Sequence, residues 1–334
     1  MMQNLTRTPS GIHATGKIVL CAGVLGLFVL VSGCAREVAT TTIKADGSWT
    51  RQVAIHTPKP DKNAGGGAPG MGEVKPEDVF VLPGGPKWKI TKSEKDSDAI
   101  YTAERTLTLS EAVSGDISIK REGDKSVVVV NQVTVKQVSP GRFVYTETFT
   151  WKGPKPKELS EANPDEIASI KAALPAKLAT EANIKALSVQ ITRLYWRVMF
   201  GPGQPLISHL SEAMMEPERV EQRILRQTGA EMERVLADKF GDQLTGEQRR
   251  STSRKILHDM LEQNTKKTQD PKPGGGEELG GVPPITLSIF LKMPGKITQS
   301  NGEADNEGGE VYWSLYPQAA ALGDVTLTAT CDAK

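Results

Sequence analysis

Cysteine is scarce in this chain, with only Cys21, Cys34 and Cys331 in 334 residues. So few cannot build the multiple bridges of a disulfide-stapled scaffold. Histidine is nearly as rare: His13, His56, His209 and His258 lie far apart in sequence. An excess of one charge is also missing, because 41 Lys and Arg meet 40 Asp and Glu, a formal net of +1. That balance makes no global electrostatic case for nucleic acid, and no such partner is expected. Aromatic residues are 5% of the chain, yet the 38% hydrophobic fraction is enough for a core. No G-x-S-x-G elbow, Walker loop, H-E-x-x-H or C-x-x-C occurs, so the signatures of several hydrolase, nucleotide, zinc and thiol-redox classes are lacking.

Long apolar runs are missing too, with one exception. IVLCAGVLGLFVLV, from Ile18 to Val31, follows a segment holding Arg7 and Lys17 and no acid. A positive segment and then a short apolar run is the pattern of a signal peptide. At about 1.5 Å per residue the run covers only ~20 Å of helix, short of the ~30 Å hydrocarbon core, so a stable span is the weaker reading. The small residues Ser32 and Gly33 then precede Cys34. A signal peptidase accepts small side chains there because the chain lies extended in a narrow cleft.

Val31-Ser32-Gly33-Cys34 resembles the lipobox of bacterial lipoproteins: an aliphatic residue, two small ones, then cysteine. The resemblance implies signal-peptidase recognition through Val31, Ser32 and Gly33. It also implies diacylglycerol on the Cys34 sulfur, and Cys34 as the acylated mature N-terminus. Several buried acyl chains, at about 0.8 kcal/mol per CH₂, anchor a protein durably. The membrane is then a partner through Cys34. Ala35, where Asp would mark retention in some bacteria, favours an outer-membrane site facing the periplasm; the outer face of the plasma membrane and the cell surface are the alternatives. Loss of residues 1–33 leaves 39 Lys and Arg against 40 Asp and Glu. It also removes Cys21, and a lipidated Cys34 cannot pair, so only Cys331 would remain as a thiol. In VTLTATC, Val325, Leu327, Ala329 and Cys331 share one strand face, which reads as core.

The rest divides by pattern into an expected β-rich domain at 34–158 and 283–334 and a helical insertion at 159–264. Asp46-Gly47 between two β-branched runs predicts a hairpin with a type I′ turn, which needs positive φ at both central residues. Trp49, Arg51, Val53 and Ile55 share one face of its second strand. Strand candidates follow at 77–82, 87–92 and 98–109. A longer pair, SVVVVNQVTVKQ and RFVYTETFTW, turns at Ser139-Pro140-Gly141. Its second arm places Phe143, Tyr145, Phe149 and Trp151 on one face, interrupted by Glu147. The continuous valines at 127–130 predict a strand buried on both sides.

Asn163-Pro164-Asp165-Glu166 reads as a helix start, and Pro175 as its end. Ile184, Leu187, Ile191, Leu194, Tyr195 and Val198 recur at helical spacing. Pro217 opens another helix, and Thr245-Gly246-Glu247-Gln248 resembles a capping box that starts a last one, to about Asn264. Pro/Gly-rich stretches at 57–76 and 265–284 predict flexible loops. ITLSIFLKM, EVYWSLYP and DVTLTAT return to strand character. Three final strands are few for a core of their own. The predicted class is therefore α+β: a mostly antiparallel sheet domain from both chain ends, with a helical insertion packed on it.

MPGKITQSNGEADNEGGEVYWSLYP, at 293–317, is similar to the end of the β-rich domain in a group of exported lipoproteins that includes the LppM-type domain. The shared elements are Pro294-Gly295, Ile297, an Asn301-Gly302 turn and Trp313. The resemblance implies an envelope protein with lipid-binding potential. The long helical block departs from a compact domain of that kind.

No catalytic residues are assigned, and no cofactor or metal. His209 and Glu212 are three apart, but no second pair accompanies them. The stretch LYWRVMFGPGQP is apolar nearly all round its helix. Its bland reading is a helix end buried on the sheet; its functional reading makes Tyr195, Trp196, Met199 and Phe200 a contact for a hydrophobic ligand or a partner. The expected function is a non-enzymatic, lipid-anchored envelope lipoprotein that binds a lipid, another hydrophobic ligand or a partner protein. The alternatives are a structural or assembly factor of an envelope complex and an envelope hydrolase.

Overall fold

The computed structural model describes residues 36–58, 75–95, 98–121, 124–200, 217–269, 285–305 and 308–333. The strands are β1 (Arg36–Ile43), β2 (Trp49–Pro58), β3 (Lys89–Lys95), β4 (Asp98–Leu107), β5 (Val113–Lys120), β6 (Val127–Ser139), β7 (Arg142–Trp151), β8 (Thr286–Lys292), β9 (Gly295–Ser300), β10 (Glu303–Asp305), β11 (Glu310–Leu315) and β12 (Val325–Ala333). The helices are α1 (Pro76–Val79), α2 (Pro164–Ala173), α3 (Glu181–Phe200), α4 (Pro217–Phe240) and α5 (Gly246–Gln269). The class is α+β, as the pattern predicts. A large sheet runs β10-β11-β8-β1-β2-β4-β3 and a small one β5-β6-β7-β12-β9. Both chain ends feed each sheet. β1 lies between β2, antiparallel, and β8, parallel; β12 lies between β7 and β9.

Alternation drives the layering. Phe143, Tyr145, Glu147 and Phe149 of β7 point inward, as do Trp49, Arg51, Val53 and Ile55 of β2. The two inner faces share one core, and Cys331 lies in it, fully buried. The helices build a second apolar cluster of their own, including Ile170, Leu187, Ile191, Met232, Leu236 and Ile256. They meet the sandwich through the end of α3, where Trp196 and Phe200 join the sandwich core. There α3 touches the 3-10 turns Lys157–Leu159 and Pro317–Ala321.

Several local expectations change. The stretch expected as a strand at 77–82 opens as α1: Pro76 sits in its first turn and Glu77 and Asp78 follow, all favourable at a helix N-terminus. Only Phe80 keeps a bridge, to Ile119. β5 and β9 carry no clean alternation and escape the sequence reading. β5 is interrupted by a register shift between Ser114 and Ser118 and by Gly115 at φ +74°. At the first hairpin Gly47 has φ +83° but Asp46 does not share it, so the turn is not type I′. Gly47 N instead donates to Lys44 O at 2.9 Å, and the Asp46 carboxylate accepts from Ser48 N (2.9 Å) and Ser48 Oγ (2.7 Å). Of the four valines, Val128 and Val129 are buried, whereas Val127 is 39% exposed at the strand end. The capping box forms reciprocally, Thr245 N to Gln248 Oε1 at 2.9 Å and Gln248 N to Thr245 Oγ1 at 3.2 Å. α5 then continues to Gln269, past Asn264.

Candidate functional site

Val31, Ser32, Gly33 and Cys34 lie outside the described residues, as do His209, Glu212 and most of the stretches 57–76 and 265–284. β1 opens at Arg36, two positions after Cys34. The aromatic stretch divides. Trp196 and Phe200 are each 1% exposed, one helical turn apart, so both face the sandwich. Their rings meet edge to face at 5.6 Å, and Phe200 meets Tyr316 at 5.9 Å. Tyr195, on the other side of α3, is 40% exposed. The Met199 side chain is not among those described. Trp196 and Phe200 are thus taken up by the protein's own core, apart from the exposed Tyr195.

A different constellation forms where the sheets face each other. Arg51 from β2 is fully buried. Its Nε donates to Asp116 Oδ2 at 2.7 Å, its Nη2 to Glu147 Oε1 at 2.6 Å, and its Nη1 to Thr41 Oγ1 at 2.9 Å. Nη1 also reaches Glu147 Oε2 at 3.3 Å, so the Glu147 pair is bidentate. Asn131 Nδ2 donates to Glu147 Oε1 at 2.7 Å, and Asn131 Oδ1 accepts from Ile117 N at 3.0 Å. The Tyr145 hydroxyl donates to Glu147 Oε2. The large sheet contributes Glu37, Thr41 and Arg51; the small sheet contributes Asp116, Asn131, Tyr145 and Glu147. The Tyr145 ring also stacks across the sheets on Trp313, at 5.9 Å.

Burial opposes the guanidinium's charge, but the adjacent Asp116 and Glu147 carboxylates outweigh it and hold Arg51 above its usual range. Burial likewise pushes the Tyr145 phenol well up, and Glu147 adds to it. The side chains of Arg51, Asp116 and Glu147 have no solvent exposure, so this closed arrangement offers a substrate no approach. It acts as a cross-sheet clasp. The parity of β2 and β7 already marks Arg51 and Glu147 as charges on apolar faces. Asp116 carries no such mark, because β5 is bulged.

At the surface, a groove of about 410 Å³ lies by Trp88, Lys89, Glu104 and Arg105. Glu111, nearby, accepts from Thr108 N (3.0 Å) and Arg105 Nη2 (2.9 Å), with Lys87 at 3.5 Å; these partners draw its carboxyl down to about 2. The groove's Arg105 and Lys87 therefore already have an anion. Among the described residues no group of three His, Cys, Asp or Glu is placed to hold a metal ion. No helix among them is long and apolar enough to cross a membrane.

No family model matches the chain, and no curated protein matches it. Among solved structures, the folded domain of the LppM protein of Mycobacterium tuberculosis is similar at a TM-score of 0.32 and 9% identity, covering 90% of each chain. A likeness of that level defines neither a shared fold nor a shared activity.

Proposed function

We propose that this protein is a lipid-anchored lipoprotein of the bacterial cell envelope that binds a partner beside the membrane and does not catalyse a reaction. The observation that carries the reading is Val31-Ser32-Gly33-Cys34, placed at the end of the apolar run, with Cys34 two positions before β1. With at most ~3.6 Å per residue, acylated Cys34 would hold the start of β1 within roughly 10 Å of the bilayer surface. The sandwich would then be held close to the membrane, not carried on a long tether. A partner protein is better supported than a hydrophobic ligand at α3, since Trp196 and Phe200 are buried. Phe290, 43% exposed, and Tyr312 form a ring pair at 4.9 Å on the outward face of the large sheet, which suits a protein contact.

The anchor is tested by growing a bacterial host on an alkyne-tagged fatty acid. The wild-type chain should take the label and fractionate with membranes, and Cys34→Ala should lose it. Wild-type protein without label would end the anchoring reading. A photo-crosslinker placed at Phe290 should give one defined adduct in intact membranes that Tyr312→Ala weakens; no adduct would remove this face as the contact.

A further inference from the structure

Glu37 is the third acid in the clasp. It is 1% exposed, inward on β1, and neither of its carboxyl oxygens has a hydrogen-bond partner. Asp116 Oδ1 is buried and equally without one, although Oδ2 takes Arg51. Thr41, Asn131, Tyr145 and one guanidinium supply the donors, and those described go to Asp116, Glu147 or one another. One positive charge therefore faces three acids. An ionised carboxylate with no donor, sealed in a core, is among the costliest states a side chain can take. The three acids are not arranged to hold a metal ion. A proton is the remaining compensation. A neutral Glu37 needs no second cation in the core, whereas an ionised one would.

The geometry points to Glu37 as a proton-operated lock on the sandwich: its neutral carboxyl, sealed between the sheets, lets them stay closed, and loss of that proton to solvent opens them. The charged and titratable groups that bear on Glu37 are Arg51 from β2, Asp116 from β5 and Glu147 from β7. Its neighbours in register on the flanking strands, Ile55 and Leu287, carry no charge. Burial raises the Glu37 carboxyl well above its ordinary 4.5; Asp116 adds to this, Arg51 opposes it and Glu147 adds again. The folded chain thus keeps a proton that the unfolded chain releases. The stabilisation is complete below 4.5 and is lost as pH rises through the folded value. Titration of Tyr145 belongs to a separate window, above 10.0. The lock does not rest on the envelope reading; only its exposure to ambient pH would.

The test is urea unfolding of the full chain in mild detergent between pH 5 and 9. The wild-type unfolding constant should rise with pH, with a limit of about tenfold per pH unit for one proton. Glu37→Gln should flatten that rise, and Glu37→Leu should be more stable than wild type at the alkaline end. An unchanged slope in Glu37→Gln would overturn the lock. If that variant does not fold, infrared spectra of wild type decide: a buried, protonated carboxyl stretch at pH 7 is expected, and its absence overturns the proposal equally.

Discussion

Arg51 offers five N–H donors in a rigid fork, and the two sheets surround it with acceptors from Thr41, Asp116 and Glu147. The pairing is strong only as a set. Arg51→Met would leave Asp116 and Glu147 buried without their cation, and urea unfolding should show a loss of about 3–5 kcal/mol. Arg51→Met with Asp116→Leu and Glu147→Leu removes the charges together and should recover most of that loss. If the single variant costs no more than the triple one, the clasp is not a coupled unit. Half of it was legible beforehand, because strand alternation turns Arg51 and Glu147 inward. Their meeting was not: they are 96 residues apart, and no local rule links β2 of one sheet to β7 of the other.

Asn301-Gly302 shows the limit of local reading at the scale of elements. An Asn-Gly pair suggests a tight hairpin turn, yet neither residue has positive φ. The chain here leaves β9 in the small sheet and enters β10 in the large one. Asn301 Oδ1 accepts from Trp313 Nε1 (3.0 Å) and Thr328 N (2.9 Å), and its Nδ2 donates to Thr326 O (2.8 Å). Gly302 is needed because a Cβ there would lie 2.4 Å from Trp313 Nε1. Gly302→Ala should therefore lower stability by ~1–3 kcal/mol through overpacking, seen as a lower Tm. Adding Trp313→Phe, which removes the crowded part of the ring, should lessen the further cost of the alanine. A Gly302→Ala protein melting with wild type would show that the corner yields freely. The capping box of α5 behaves in the opposite way: its two bonds are local, so four consecutive residues predict them.

At the scale of the whole molecule, the described residues form two apolar clusters, joined by the end of α3. Trp196→Ala should cost about 3–5 kcal/mol, as large-to-small changes in packed cores do. It should also separate the unfolding of helices from that of strands, so that far-ultraviolet dichroism and tryptophan fluorescence no longer coincide. Coincident transitions in that variant would mean the two clusters are coupled by contacts other than this joint.

Alternation of period two, helical spacing, proline and capping residues act over a few positions, and a sequence states them directly. They determined the α+β class, most strands, the main helices, the inward charges on β2 and β7, and the lipobox pattern that motivates the anchor. Tertiary structure decided what depends on distant partners: the parallel seat of β1 against β8, the clasp around Arg51, the donor-less Glu37 beside it, and the burial of Trp196 and Phe200. The reason is physical. A local pattern sets which face a side chain takes, but its energy depends on what the opposite layer presents there, and that layer comes from residues far along the chain.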